Sequence, residues 1–309
     1  MFLKTNMKFA VITGATGAIG TALINELIKQ NIKVLVLANP DSKRNEQIPK
    51  SELVQVVPCG IDEYSSFELA LVQGERFDAF YHLAWAGTFG DARNDKALQE
   101  LNVKYATEAV ELAKKLGCKT FVGVGSQAEY GRKECPLTSE LECNPENEYG
   151  AAKLKAGNET RELAYKLGMK HIWVRVLSAY GPNDGPNTMI MSTISKLQNG
   201  EVPKFTPSEQ IWDYLFSEDV AAALALLPSM GIDGKTYVLG SGLGRPLKEY
   251  IEELRDVVAP NAKLGIGELP YSENQVMHLC ADIRELTTDT GWTPQTKFKE
   301  GIEKIVNGK

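Results

Sequence analysis

From residue 8 to residue 177, short β-rich apolar runs alternate with stretches whose apolar residues recur at helical spacing. Residues 8–13, 33–38, 53–58, 79–83, 120–125 and 171–177 are the predicted strands. Between them, 18–29 sets Ile19, Leu23 and Leu27 on one helical face, and 97–116 and 148–167 read the same way, the last closed by Gly168. Such alternation predicts a doubly wound α/β fold, a parallel sheet with helices on both faces. After Tyr180, the run Gly181-Pro182-Asn183-Asp184-Gly185-Pro186-Asn187 is too dense in turn formers for regular structure and marks a boundary. Strands are predicted again at 211–216 and 236–239, with Ser217 as N-cap of an intervening helix, Glu218 and Asp219 in its first turn, and a further helix at 246–258.

Composition narrows what such a fold can bind. Of 309 residues 43% are apolar and 24% charged, and 34 Lys+Arg against 40 Asp+Glu leave a net charge of −6. Without a global cationic field neither nucleic acid nor an acidic membrane surface is an expected partner, and an anionic ligand has to be held by a local device. The longest apolar run, Val220 to Leu227, has eight residues, against the ~20 of a membrane span. Lys4 and Lys8 precede an apolar stretch, but it runs directly into a glycine-rich turn with no cleavage region, so the cytoplasm is the expected compartment. Five scattered cysteines without a Cys-x-x-Cys pair, and only His82, His171 and His278, predict neither a disulfide framework nor a metal site.

The local device is Val11-Ile12-Thr13-Gly14-Ala15-Thr16-Gly17-Ala18-Ile19-Gly20, with three glycines at i, i+3 and i+6 between a predicted strand and a predicted helix. The first glycine permits a tight turn, the second lets phosphate approach the backbone, and the helix N-terminus offers unpaired N–H groups to a diphosphate. The expected organisation is a dinucleotide-binding Rossmann-type domain, 1–181 plus 211–239, and a smaller, discontinuous C-terminal substrate lobe, 182–210 plus 240–309. About twenty residues beyond the glycines, where NAD-binding folds place an acid for the ribose 2′-hydroxyl, stands Asn39, followed by Asp41, Ser42, Lys43 and Arg44. A neutral Asn39 with Ser42 and Arg44 suits a 2′-phosphate, so NADP(H) is favoured over NAD(H). The competing reading gives the acid's role to Asp41 and leaves Lys43 and Arg44 as solvated surface.

Of eleven tyrosines only Tyr149 has a lysine, Lys153, four residues on. Four residues is about one helical turn, so phenol and ammonium share a face. The strand before them runs out into Ser126-Gln127-Ala128-Glu129-Tyr130-Gly131, which puts Ser126 just beyond a carboxyl end, where α/β sheets bind ligands. These features are joined by Asp62 after the third strand, His82-Leu83-Ala84-Trp85-Ala86-Gly87, Tyr180-Gly181-Pro182 and a late Gly291-Trp292-x-Pro294. In this order, over nearly the whole chain, they resemble the extended short-chain dehydrogenase/reductase family: nucleotide-sugar epimerases, dehydratases and 4-ketoreductases.

The resemblance implies that Tyr149 exchanges a proton with a sugar oxygen while hydride passes between nicotinamide and sugar carbon. Ser126 would orient that oxygen, and Lys153 would favour the phenolate and hold the nicotinamide ribose. Gly14, Thr16, Gly17, Ala18, Ile19, Gly20, Asn39, Ser42, Arg44, Asp62, Leu83 and Ala84 join Tyr149 and Lys153 as expected cofactor contacts. Thr88, Ser126, Gln127, Tyr149, Ser178 and Asn187 are the expected contacts of a nucleotide-sugar substrate. Helices 97–116 and 148–167 are expected to build the four-helix interface of a homodimer.

Three departures from the family pattern refine the expectation. Similar dehydratases carry Thr-Asp-Glu where Ser126-Gln127-Ala128 stands, and Glu129 is one position out of register, so the acid and base for eliminating water are missing. Ser178 replaces a frequent Asn, and Trp212 an Arg that grips the diphosphate; Trp212 is expected to pack in the core, or else to line the pocket. The pattern most resembles reductases of nucleotide-linked 4-keto-6-deoxy sugars, which consume NADPH. A 4-epimerase with tightly held NAD is the alternative. A dinucleotide sensor without catalysis is a third reading, against which Ser126, Tyr149 and Lys153 argue.

Overall fold

The computed structural model describes residues 7–72 and 74–308; Lys4 and the outer ends of the expected division, residues 1–6 and 309, lie outside them. The first half of the chain forms β1 (Phe9–Thr13), α1 (Ala18–Lys29), β2 (Lys33–Ala38), β3 (Val54–Pro58), β4 (Ala79–His82), α2 (Lys96–Lys115), β5 (Thr120–Ser126), α3 (Glu148–Lys166) and β6 (Lys170–Val176). It continues through β7 (Ser178–Tyr180), α4 (Met189–Gln198), β8 (Lys204–Phe205), β9 (Ile211–Trp212), β10 (Tyr214–Phe216), α5 (Ser217–Met230) and β11 (Thr236–Leu239). β12 (Arg245–Pro246), α6 (Leu247–Val258), β13 (Gly265–Ile266), α7 (Arg284–Thr290) and α8 (Phe298–Val306) complete it. Among the described residues no helix is long and apolar enough to cross a membrane.

Seven parallel strands make one sheet in the order β11-β6-β5-β4-β1-β2-β3. Side chains alternate across it. Ala10, Ile12, Val34 and Val36 enter the core beneath α1 and α5, whereas Val11, Leu35 and Leu37 enter the one beneath α2. Burial on both faces is why these strands read as continuous apolar runs rather than alternating ones. The chain leaves β1 in one direction and β4 in the other, so a crevice opens at their carboxyl ends, the topological switch point where such sheets bind ligands. A separate apolar cluster gathers Tyr180, Ile190, Ile194, Phe216, Leu247, Ile251, Phe298 and Ile302 from α4, α6, α8 and the short strands β7 and β10.

Two local expectations change. The run 211–216 is two strands, because Asp213, fully buried, interrupts it. Its carboxylate accepts from the amides of Ser241 (2.7 Å), Gly242 (3.1 Å) and Ala281 (3.0 Å) and from the Ser241 hydroxyl (2.6 Å). Ser217 is the first helical residue of α5 and Phe216 its N-cap. Asp219 in that first turn caps another segment instead, accepting from the amides of Gln295 (3.1 Å) and Thr296 (2.9 Å), while its carbonyl accepts from Trp292 Nε1 (3.1 Å). The late Gly-Trp-x-Pro motif is thereby clamped to α5.

Candidate active site

The glycine turn is shaped by what each glycine faces. Gly14 has φ +72°, and a Cβ there would lie 2.6 Å from the backbone of Leu83 and Ala84, so β1 and β4 close together only if residue 14 lacks a side chain. Gly20 faces the Gly14 carbonyl, which lets α1 start tight against the turn. A Cβ on Gly17, by contrast, would meet nothing within 4 Å. Gly17 is also the N-cap of α1, with no side-chain cap and no acid in the first turn, where Ala18 and Ile19 sit. Free amides beside open space, in a chain of net negative charge, fit the diphosphate of a dinucleotide. Gly17→Val is therefore expected to weaken cofactor binding by at least about tenfold by obstructing that approach, with little change in melting temperature. Calorimetric titration alongside thermal unfolding checks both halves.

At the end of β2, Asn39 is exposed, and its side-chain oxygen accepts from the Asp41 amide (3.0 Å). The Ser42 hydroxyl accepts from the Arg44 amide (3.3 Å). Arg44 reaches back across the crevice: its Nη2 donates to the carbonyls of Thr16 (3.0 Å) and Asn183 (2.7 Å). This joins the glycine turn, the end of β2 and the turn-rich loop after β7. Asp62, exposed beyond β3, folds its carboxylate back toward Gly60.

Ser126, Tyr149 and Lys153 meet at the carboxyl end of β5. α3 approaches because Gly157 on the helix, and Gly123 and Gly125 on the strand, leave room for the indole of Trp173 on β6. Asn147 caps α3, accepting from the Gly150 amide (2.8 Å). One turn in, Tyr149 and Lys153 are both buried (8% and 4% exposed). Lys153 Nζ donates to the Val124 carbonyl (2.8 Å) and lies 3.7 Å from the centroid of the Trp85 ring, but 6.0 Å from that of Tyr149. Burial pulls its ammonium down to about 7, against an upward pull from the Glu129 carboxylate. The Tyr149 phenol is raised above its ordinary value by burial and, secondarily, by Glu129; the Ser126 hydroxyl and the Arg93 guanidinium oppose that rise.

Glu129 is fully buried and saturated. It accepts from the Ser126 amide (2.8 Å), Trp173 Nε1 (3.0 Å) and Arg175 Nε (2.7 Å). A carboxylate so engaged has no oxygen left for acid or base work on a substrate, in keeping with its register.

Two side chains outside the expected site residues complete the site. Trp85 covers Lys153, and Arg93, on a 3-10 turn (Gly90–Asn94), lies 4.3 Å over the Tyr149 ring. Both are held by buried amides of α2: Gln99 accepts from Trp85 Nε1 (2.9 Å) and donates to the carbonyls of Gly87 (3.0 Å) and Ala92 (2.9 Å). Asn102 brackets the Ala86 backbone, accepting from its amide and donating to its carbonyl. Thr88 lends its carbonyl to Arg93 Nη1 (3.2 Å). Gln127, Arg93 and Asn147 line a cavity of about 290 Å³ beside the trio. Ser178 is half-buried on β7, and Asn187 is exposed on the loop after it, with no hydrogen bond to the trio. Trp212 is half-buried against two apolar clusters, its indole N–H buried without a partner.

Residues 10–240 match the model of the NAD dependent epimerase/dehydratase family. The chain belongs to that family. It is 26% identical to a putative UDP-glucose 4-epimerase of Methanocaldococcus jannaschii (96% of this chain, 97% of the other) and 24% identical to CDP-abequose synthase of Salmonella typhimurium (99% and 98%). Its fold is similar to that of UDP-glucose 4-epimerase with UDP-glucose from Thermotoga maritima, with a TM-score of 0.85 at 22% identity, covering 97% of each chain. The protein is thus an enzyme of the family whose members act on nucleotide sugars as NAD(P)-dependent epimerases, dehydratases or reductases.

Proposed function

We propose that the protein reduces the 4-keto group of a nucleotide-linked 6-deoxy sugar with NADPH. The observation that carries the cofactor choice is Arg44, whose guanidinium is anchored on the glycine turn at Thr16 while Asn39 offers no carboxylate to a ribose hydroxyl. When bound, the reduced nicotinamide supplies the hydride. The buried, neutral Tyr149 phenol donates the proton to the carbonyl oxygen, and the Ser126 hydroxyl orients that oxygen. Lys153, tethered to Val124 and covered by Trp85, is placed for the nicotinamide ribose.

Arg44→Ala should raise the Kd for NADPH about 10- to 100-fold, the worth of one or two charge-assisted hydrogen bonds, and leave NADH nearly unaffected. Equal losses for both cofactors in a fluorescence titration would remove the case for a 2′-phosphate. The reaction itself is tested by incubating the enzyme with NADPH and nucleotide 4-keto-6-deoxy sugars: one equivalent of NADPH is oxidised per sugar reduced. The second reading, a nucleotide-sugar 4-epimerase, draws on the similarity to an epimerase over 96% of the chain. Interconversion of two sugars without net oxidation of NADPH would establish it instead.

A further inference from the structure

Unlike Arg132, Arg175, Arg245, Arg255 and Arg284, each paired with a carboxylate, Arg93 has no ion-pair partner among the described residues. Its hydrogen bond to the Thr88 carbonyl neutralises nothing, and its guanidinium carbon lies over the Tyr149 ring, 4.3 Å from the centroid. The polypeptide invests in that placement: Gln99 fastens both ends of the loop, at Gly87 and Ala92, and Asn102 fastens its root at Ala86.

We propose that Arg93 is the permanent cation of the proton-transfer step, a positioning residue that balances the phenolate left on Tyr149 when its proton departs. In that step the O–H bond of Tyr149 breaks and an O–H bond forms on the substrate's carbonyl oxygen. That oxygen's carbon meanwhile takes hydride from the reduced nicotinamide, and the electron pair stays on the oxygen of the phenol ring over which the guanidinium lies. The proposal rests on the proton-donor role given to Tyr149 above.

Two charged groups, Arg93 and Glu129, bear on Tyr149, and Lys153 lies one turn along its own helix. From its own helix comes Lys153, turned to Val124 and Trp85, its ammonium pulled down to about 7 by burial. From the turn after β5 comes Glu129, an anion that opposes ionisation and is itself tied to Arg175. His82, at the end of β4, is held neutral, its imidazole pulled down to about 3 by burial and by Lys153. Arg93 remains, its guanidinium over the Tyr149 ring and without a carboxylate partner among the described residues.

The test reads Tyr149 directly and needs no substrate. In protein labelled at tyrosine Cζ and saturated with NADP⁺, the Tyr149 carbon resonance is assigned by its loss in Tyr149→Phe and followed against pH. Arg93→Met should raise the Tyr149 pKa by roughly one to two units, the effect of removing a charge at this distance in a medium of intermediate polarity. Arg93→Lys should restore most of the shift. Arg93→Gln supplies the same neutral comparison if the methionine variant does not fold. A Tyr149 pKa that is the same in wild type and in the neutral variant overturns the proposal, as does a lysine variant no closer to wild type than the methionine one. If Tyr149→Phe kept full turnover while the titration shifted as expected, the proton-donor role would fall and the electrostatic coupling would stand.

Discussion

Tyr149→Phe is expected to lower kcat by about 10²- to 10⁴-fold, the range for removing a positioned general acid, with cofactor affinity and melting temperature close to wild type. Phenylalanine keeps the ring that packs edge-on to Trp85 and beneath Arg93, so only the hydroxyl is lost. The other candidates for its task are disqualified one by one. Lys153 Nζ is directed at the Val124 carbonyl and the Trp85 face. His82 is buried with an imidazole pulled down to about 3, far too weak a base to hold a proton at neutral pH. Glu129 has each oxygen engaged by buried donors. Burial raises the Tyr149 phenol, so the group is protonated before reaction, the state a donor to a nascent alkoxide needs. Turnover within tenfold of wild type, measured with any substrate the enzyme accepts, would transfer the acid role elsewhere.

The parts of the molecule most legible in the sequence are those ruled by local rules. Continuous apolar runs mark the central strands because both sheet faces are covered, and the glycine spacing marks the turn because Gly14 and Gly20 answer close backbone contacts while Gly17 keeps the helix end open. Asp213 shows where pattern reading ends: a polar residue in an apolar run looks like an ordinary alternation, and only the amides of residues 241, 242 and 281 explain why it splits the strand. Ser126, Tyr149 and Lys153 could be proposed from spacing because helix and strand geometry place them. Arg93 could not, since it rides on a short 3-10 turn in a polar loop with no periodicity to expose it. Its position depends on Gln99, which in the sequence is one more polar residue on an amphipathic helix. Only its complete burial distinguishes it.

Glu129→Ala should destabilise the protein by about 3–5 kcal/mol, roughly 10 °C in melting temperature, because it strands a buried charge rather than deleting a bond. The carboxylate is the shared acceptor of the Arg175 guanidinium, the Trp173 indole and the Ser126 amide, all deep beneath α3. Without it Arg175 keeps its stacking on the Tyr130 ring (4.5 Å) and a long hydrogen bond to the Ser139 carbonyl (3.4 Å), neither of which neutralises it. Replacing both partners by apolar residues, as in Glu129→Leu with Arg175→Met, is expected to recover much of the loss, since no unpaired charge remains. The double-mutant cycle in urea separates this account from simple cavity formation, for which the two losses would add. A single-variant loss below about 1 kcal/mol would mean that water reaches Arg175. The cycle also bears on chemistry: the Ser126 amide is held by Glu129, so in the refolded double variant stability should return while kcat stays depressed, because the serine proposed to orient the substrate oxygen has lost its tether.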